Sequence, residues 1–516
     1  MKKINLYLTT GLLVVSSMGI SSCTDKFEEY NTNPTKLSEL DALGTGNSFA
    51  AAQYRGATAS WQTYQSLFAD LQSQYFANVA QNFPSDRNVM VGNWLNGAFN
   101  TFYSSAVPPL LGVLENTKPG GISDNPAAFA VANIWKVRMF LPRTDYWGPI
   151  PYSQIGNASR QVDYDSQDVI YKDFLTLLTK AVKDLQPYNG TTIALYGNND
   201  QIYGGNVDLW IRFANTLRLR IAMRMSGVEP VLAKTNAEEA IKGGVLETNA
   251  HDAFLKVTAN SINTLNQATA WNEFRMSAAM ESVLKGYNDP RMSKFYAPAS
   301  ATGQFKGLRN GYNQVELGLT ANLQTNVSNV AANFLPANQA TQPFGIIMAS
   351  EAWFLRAEGV LKGWDMGGGT AKEYYEAGIN ASMRQWGIVD AVAIAAYTAS
   401  TSVPVALTDA VNSPAMTDIP VLWSSDATKH LEQIHTQKWL ALWPDGLEAW
   451  AEYRRTGFPK LYPRINSESL VVAKDGVVRR TPFTIGELQT NPKGVATGVT
   501  KLGGTDNEAT RLWWNK

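Results

Sequence analysis

Apolar residues that recur at helical spacing constrain the fold of this chain more than any other feature. Over residues 165–185, and again over residues 206–226, apolar side chains repeat every three or four positions, which predicts two amphipathic helices. Asp165 and Asn206 stand where N-caps are expected, and Gly227 is placed to give the second helix a left-handed exit. Each predicted helix therefore has one face that must be buried against another element.

A further pair of helices is separated only by a glycine-rich break. The first is predicted over residues 349–362, and the glycines at 367–369 open the chain after it. Thr370 and Glu373 then form the capping-box pattern that starts a second helix, in which Gly378 lets a neighbour approach closely. This pattern predicts a tetratricopeptide-like hairpin. No strict period of about 34 residues is found, so the helical pairs have diverged and taken insertions.

Two long stretches rich in Asn, Ser, Thr and Ala, residues 297–345 and 396–428, lack any periodicity and are predicted to be surface loops. No boundary between them divides the chain into independent units. The predicted fold class is therefore mostly α, with tetratricopeptide-like helical pairs forming a scaffold that carries long irregular loop insertions. We expect a single helical domain over residues 37–516.

The N-terminal segment is typical of an exported lipoprotein. Lys2 and Lys3 precede an apolar stretch, and small residues lead into Cys23, the only cysteine of the chain. This is the bacterial lipobox pattern, which predicts a signal peptide over residues 1–22 and lipidation of Cys23. The alternative is an ordinary secretory signal that happens to contain a cysteine. Residues 23–36 are polar and are predicted to form a lipidated tether.

The composition excludes several classes of protein. A single Cys and 3 His among 516 residues exclude a disulfide framework and a zinc cluster built from cysteines. The 44 basic residues balance the 44 acidic ones, which argues against a nucleic-acid partner because counterion release needs a basic face. Charged residues make up 17% and aromatic residues 11%, so the polarity is carried mainly by neutral side chains. Such a surface suits uncharged, hydroxyl-rich or peptide ligands.

No catalytic signature is present in the sequence. It contains no G-x-S-x-G, H-E-x-x-H or Walker motif. His430 and His435 stand about 140° apart around a predicted helix, at roughly 100° per residue, so they do not face one metal. We therefore expect no enzyme activity, no cofactor and no bound metal. Paired carboxylates for glycoside hydrolysis remain an open alternative, since they are defined by a separation in space.

Aromatic residues outside the helical stripes are the candidate ligand-binding groups. They lie near Asn, Gly, Pro or Arg in segments without clean periodicity, where a ring can lie open and stack on a sugar face. The rings are Phe83, Trp94, Trp271, Tyr287, Tyr296 and Tyr312. The neighbouring groups that can hydrogen-bond to hydroxyls are Arg87, Asn88, Asn93, Asn272 and Asn310. The alternative for each ring is that it fills the core or pins a loop.

Several sequence blocks together resemble the SusD/RagB family of Bacteroidetes outer-membrane lipoproteins. Each block is weak alone, but their order and the lipobox make the set specific, and Asn206 stands where relatives often carry Asp. The blocks are Thr144 to Tyr152, Tyr203 to Trp210, Phe213 to Arg220, Asn288 to Arg291, Ala357 to Trp364, Gln437 to Trp439, Asp445 to Trp450, Arg454 to Pro459 and Arg511 to Trp514.

The resemblance implies a mostly helical protein with tetratricopeptide-like pairs, attached to the outer membrane by its lipid and exposed at the cell surface. Such a protein acts as a lid on a SusC-like TonB-dependent transporter and captures a nutrient, commonly an oligosaccharide, for import. It also implies that the shared blocks are scaffold, with Arg218, Arg220 and Arg224 bracing a helix against loops. Two alternatives remain: a peptide-binding lid of the RagB type and a surface glycoside hydrolase.

Overall fold

The fold is mostly helical, as the periodicity predicted. The computed structural model describes residues 42–157, 159 and 161–515. The predicted signal peptide, Cys23 and the predicted tether lie outside these residues. The α-helices of eight residues or more in the described part are α1 Ala42–Thr58, α2 Gly92–Thr101, α3 Val107–Thr117, α4 Pro126–Trp147, α5 Gln167–Leu185, α6 Val207–Met225, α7 Pro230–Lys242, α8 Ala278–Gly286, α9 Ala349–Leu361, α10 Ala371–Gln385, α11 Ala391–Thr398, α12 His430–Leu442, α13 Gly446–Thr456 and α14 Pro492–Leu502.

Shorter elements connect these helices. Two segments are wound as π-helix, Gln62–Ala69 and Phe102–Ala106, and short α-helices cover Asp70–Gln72, Thr264–Thr269, Met292–Phe295, Gln314–Leu317 and Ile485–Thr490. Strand β1 (Phe76–Asn78) pairs antiparallel with β3 (Phe274–Met276), and β2 (Ala253–Leu255) pairs antiparallel with β4 (Phe344–Ile347). Within the described residues, no helix has both the length and the apolar character needed to cross a bilayer.

The ends of α5 and α6 confirm part of the sequence prediction and correct the rest. The side chain of Asn206 caps α6, where its Oδ1 accepts from the backbone N–H of Leu209 at 3.0 Å. Asp165 does not cap α5, which starts at Gln167, because its carboxylate instead accepts from the N–H of Ser153 at 2.6 Å. The left-handed exit predicted at Gly227 is wrong, since its φ is not positive and the chain turns directly into α7.

The predicted hairpin is formed by α9 and α10. The Thr370 side chain accepts from the N–H of Glu373 at 3.2 Å, and the Glu373 carboxylate accepts from the N–H of Thr370 at 2.7 Å, which is the capping box. A Cβ at Gly378 would stand 2.8 Å from Cζ of Phe354 on α9. The absent side chain is therefore what lets the two helices pack closely.

Neighbouring helices pack in sequence, as in helical-repeat scaffolds. Helix α4 packs on α5, α5 on α6, and α6 on α7, while α9 packs on α10 and both of them pack on α12. Most of the buried apolar side chains form one continuous core across these helices. The stretch predicted as loop over residues 297–345 is largely irregular and holds only short helical turns and the start of β4.

A buried network of ion pairs links the scaffold helices. Arg220 donates through Nε to Glu351 of α9 at 2.8 Å, and Arg224 donates through Nη1 to Asp145 of α4 at 2.8 Å. Arg218 donates through Nε to Asn236 of α7 at 2.7 Å. The expectation that these three arginines brace a helix against loops is wrong in its partners, because each one joins α6 to another helix.

Candidate ligand-binding site

The end of the β1–β3 pair positions the first part of the site. Beyond the last paired residues, Asn78 and Phe274, the N–H of Val79 donates to the carbonyl of Glu273 at 2.8 Å. The side chain of Asn78 then closes the following turn, because its Nδ2 donates to the carbonyls of Ala80 at 2.9 Å and of Phe83 at 2.8 Å. The backbone at residues 79–83 is thereby held beside the backbone at residue 273.

Two of the predicted rings form a pair on this turn. Phe83 and Trp94 meet edge to face, with ring centroids 5.0 Å apart and an interplanar angle of 87°. Trp94 lies in the first turn of α2, next to the exposed Asn93, and both rings of the pair are half-buried. Each ring is thus held in place by the other while part of its surface remains open to solvent.

The third ring, Trp271, stands three residues before the start of β3. Its side chain is 46% exposed, the highest exposure of any predicted ring. The adjacent Asn272 has a left-handed backbone, with φ of 55°, a conformation that Asn tolerates. Gln324 donates to the carbonyl of Asn272 at 3.2 Å, and Arg275 donates to its Oδ1 at 3.3 Å. These two bonds hold the loop that presents the indole.

The charged groups beneath the surface are buried and engaged. Gln62 donates through Nε2 to both carboxylate oxygens of Glu273, at 2.7 and 2.8 Å, and burial raises the pKa of that carboxyl. Burial lowers the pKa of Arg275 to about 10, and this guanidinium also donates to Gln324 at 3.3 Å. The open surface therefore consists of aromatic faces and neutral amides, a combination that stacks on sugar rings and hydrogen-bonds to their hydroxyls.

The expectation of open rings is wrong for the three predicted tyrosines. Tyr287 is 2% exposed, and its hydroxyl donates to the carbonyl of Ile419 at 2.9 Å. Tyr296 is fully enclosed, and its hydroxyl donates to the carbonyl of Tyr75 at 2.7 Å. Tyr312 is buried in a small second core, and burial raises its pKa to about 12. Each ring fills the core because the chain that covers it comes from a distant part of the sequence.

Three predicted polar residues also hold the chain instead of facing solvent. The Nε of Arg87 lies 2.5 Å from a carboxylate oxygen of Glu468. Asn88 donates to Ser467 at 3.1 Å, and Asn310 donates to the carbonyl of Phe76 at 2.9 Å. All three side chains are buried. Phe83, Asn93, Trp94, Trp271 and Asn272 thus remain half-buried or exposed, and the other six lie in the interior.

Sequence reasoning missed the residues that support these rings. Gln62, Glu273, Arg275 and Gln324 all contact the strand end or the Trp271 loop. The only local signal was that Glu273 and Arg275 stand within three residues of Asn272. Nothing in the sequence links Gln62 or Gln324 to this loop, because they reach it from 211 and 52 residues away.

One buried cluster has the residue types of a metal site. Ligand atoms of Glu358, His435 and Glu452 lie within 4.8 Å of one another. Both carboxylates already accept from Arg455, at 2.7 and 2.8 Å, and Lys438 donates to Glu452 at 2.9 Å. Because these cations already neutralise the carboxylates, we assign the cluster to the ion network of the scaffold.

Comparisons with known proteins place this geometry among related structures. A family model described as "SusD-like: Susd and RagB outer membrane lipoprotein" matches residues 34–515. A chitin-binding SusD homolog from Flavobacterium johnsoniae is 34% identical with a TM-score of 0.84, and the match covers 92% of this chain and 98% of that one. A SusD homolog from Bacteroides uniformis is 32% identical with a TM-score of 0.82, covering 92% and 99%. A SusD homolog from Bacteroides vulgatus is 30% identical with a TM-score of 0.81, covering 91% and 97%. No curated protein matches the chain.

Proposed function

This chain belongs to the SusD-like family of outer membrane lipoproteins, and from that premise we propose that it binds an oligosaccharide at the strand end that carries Trp271 and the Phe83–Trp94 pair. The observation that carries the proposal is the exposed indole of Trp271, on a segment that is joined through Glu273 and Val79 to the turn with the half-buried Phe83–Trp94 pair. Because one similar protein is described as chitin-binding, oligosaccharides of chitin are the first ligands to test.

The chemistry of the site is capture without bond cleavage. The C–H face of a sugar ring packs on the Trp271 indole, and the amides of Asn93, Asn272 and Gln324 hydrogen-bond to hydroxyl and acetamido groups. Among the described residues, two carboxylates lie at the strand end, and both are engaged: Glu273 accepts from Gln62, and the buried Asp86 accepts from the N–H of Asn78 at 3.0 Å. Both are therefore badly placed to transfer a proton to a glycosidic oxygen.

The binding experiment is calorimetry of chitin oligosaccharides with the full-length protein. Trp271→Ala should weaken binding by about tenfold or more, because one stacked ring contributes roughly 1.5 kcal/mol. Tyr188→Ala is the matched control, since Tyr188 is an exposed ring in the short turn that follows α5. Equal affinity in both variants would show that Trp271 is not in the site.

The same preparations distinguish the two alternatives. Reducing ends that accumulate during incubation would indicate a hydrolase, and tight binding of a peptide mixture with no response to any glycan would indicate a peptide lid. Either result would refute the proposed capture of an oligosaccharide.

The proposal extends to membrane attachment and transport. A lipid on Cys23, followed by the tether of residues 24–36, would hold the protein at the cell surface as a lid on a SusC-like TonB-dependent transporter. In the described residues, Val389 just before α11 and Val392 in its first turn are 64% and 77% exposed, and we propose this surface as the one that contacts the transporter. Cys23→Ala should release the protein from membranes of a strain without the transporter. Val392→Glu should reduce co-purification with the transporter, and unchanged recovery would exclude this surface as the contact.

A further inference from the structure

A cavity of about 80 Å³ lies inside the scaffold, apart from the surface rings. Helix α4 and the π-helical segment Gln62–Ala69 form one side of it, and β4 and the end of α12 form the other. Its walls include the rings of Trp61, Phe344, Trp386 and Trp443. None of the residues of the proposed oligosaccharide site lines this cavity.

The buried polar atoms without a partner on the cavity-lining residues are mostly hydrogen-bond donors. Six lining residues carry buried side-chain nitrogen or oxygen atoms for which the described part of the chain supplies no hydrogen-bond partner: Trp61, Arg138, Arg143, Ser350, Gln385 and Trp386. Five of these atoms only donate, namely the two indole nitrogens, Nε of Arg138, and Nε and Nη1 of Arg143. Only Oε1 of Gln385 is purely an acceptor, so a complementary ligand must supply acceptors.

The charge on the cavity wall has the matching sign. Among the described residues, neither Arg138 nor Arg143 has a carboxylate within 4 Å, although they are only 8% and 2% exposed. The guanidinium of Arg143 lies on the ring of Tyr64, with Cζ 3.8 Å from the centroid. Two acids, Glu351 and Asp445, stand on the wall. Glu351 accepts from Nε of Arg220 at 2.8 Å, and the carboxylate of Asp445 lies more than 4 Å from the guanidinium of Arg138.

The lining therefore has one positive charge in excess. Three arginines and two acids face the cavity, which gives 3 − 2 = +1. Burial lowers the pKa of both Arg138 and Arg143, and nearby carboxylates do not compensate Arg143. A buried cation without a close counterion is unfavourable unless an anion or strong acceptors reach it.

We propose that this cavity binds a small organic carboxylate, whose oxygens accept from the arginine and indole donors while its apolar carbons contact the aromatic rings. A carboxylate is suited to the wall because it only accepts hydrogen bonds, whereas a neutral sugar hydroxyl also donates. One water-sized centre needs roughly 10–15 Å³, so the volume admits a ligand of roughly five to eight non-hydrogen atoms. Propionate and lactate are in this range, and a hexose is too large.

The test uses the full-length protein with propionate, lactate and the neutral isostere propionamide, at constant ionic strength. We expect the carboxylates to bind with a stoichiometry of one in calorimetry and to raise the thermal midpoint saturably, while propionamide does neither. Trp386→Phe keeps the ring but removes one donor to a charged group, so it should weaken carboxylate binding about tenfold. Arg143→Met should abolish it.

Trp364→Phe is the matched control, because Trp364 is also half-buried but does not line the cavity. It should bind carboxylates like the unmodified protein. Two results would overturn the proposal: equal binding of the carboxylates and propionamide, or unchanged carboxylate affinity in Trp386→Phe. Either would indicate that the cavity holds only water. Oligosaccharide binding by these variants should be unchanged, so failure here is separate from failure of the proposed function.

Discussion

Replacing Arg224 by methionine tests the ion network that joins the scaffold helices. Five carboxylates and five cations are linked by contacts within 4 Å: Asp145, Glu351, Glu358, Glu448 and Glu452 with Arg220, Arg224, Lys362, Lys438 and Arg455. Arg224 and Lys438 are the most enclosed of the ten, each with 1% of its side chain exposed. Removal of Arg224 leaves 5 − 4 = one buried negative charge without compensation.

The expected cost follows from that imbalance. Removing one partner of a buried ion pair typically destabilises a protein by about 3–5 kcal/mol. An unfolding entropy of about 2.1 cal/mol/K per residue gives this chain roughly 1 kcal/mol per kelvin, so the midpoint should fall by about 3–5 °C. The assay is calorimetry of the full-length protein at neutral pH, where the lowered pKa values of Glu448 and Glu452 keep both charged.

The control is Lys180→Met, because Lys180 pairs with Asp184 on the surface and is 64% exposed. An exposed pair contributes about 0–1 kcal/mol, so this variant should melt within about 1 °C of the unmodified protein. An Arg224→Met variant with an equal or higher midpoint would refute the reasoning. It would mean that the cost of desolvating the guanidinium exceeds its attraction to three carboxylates.

Two further predictions concern single buried positions. Burial lowers the pKa of His435 to about 4, so between that pH and the ordinary value of about 6.5 the unfolded chain binds a proton that the native protein does not. The free energy of unfolding should therefore fall as the pH is lowered from about 6.5 to about 4, by up to roughly 3 kcal/mol more than in His435→Gln. Parallel pH profiles of the two proteins in denaturant titrations would contradict this. Gly378→Ala should destabilise the protein by about 1–3 kcal/mol, because the added Cβ would lie 2.8 Å from the ring of Phe354. The control Gly97→Ala on α2 places its Cβ where no atom lies within 4 Å, so it should stabilise the protein by up to about 1 kcal/mol. Equal thermal midpoints for the two variants would refute the steric explanation.

Local features of the sequence were sufficient to predict several of the helices. The α6 stripe with its Asn206 cap and the α9–α10 hairpin with its capping box depend on residues within a few positions of each other, so they are readable from the chain alone. The lipobox at Cys23 is local in the same sense, although it lies outside the described residues. The prediction of a left-handed exit at Gly227 was wrong, because α6 ends where the chain turns directly into α7 and not where a residue preference would end it.

The candidate site depended on contacts that no local pattern contains. Trp271 and Tyr296 both stand in aperiodic segments, yet one is open and the other is covered by chain from 221 residues away. In the same way, Arg220 finds Glu351 across 131 residues, so its partner is a helix and not a loop. Helical periodicity arises between near neighbours in the chain, whereas burial arises between segments that meet only after the helices have packed.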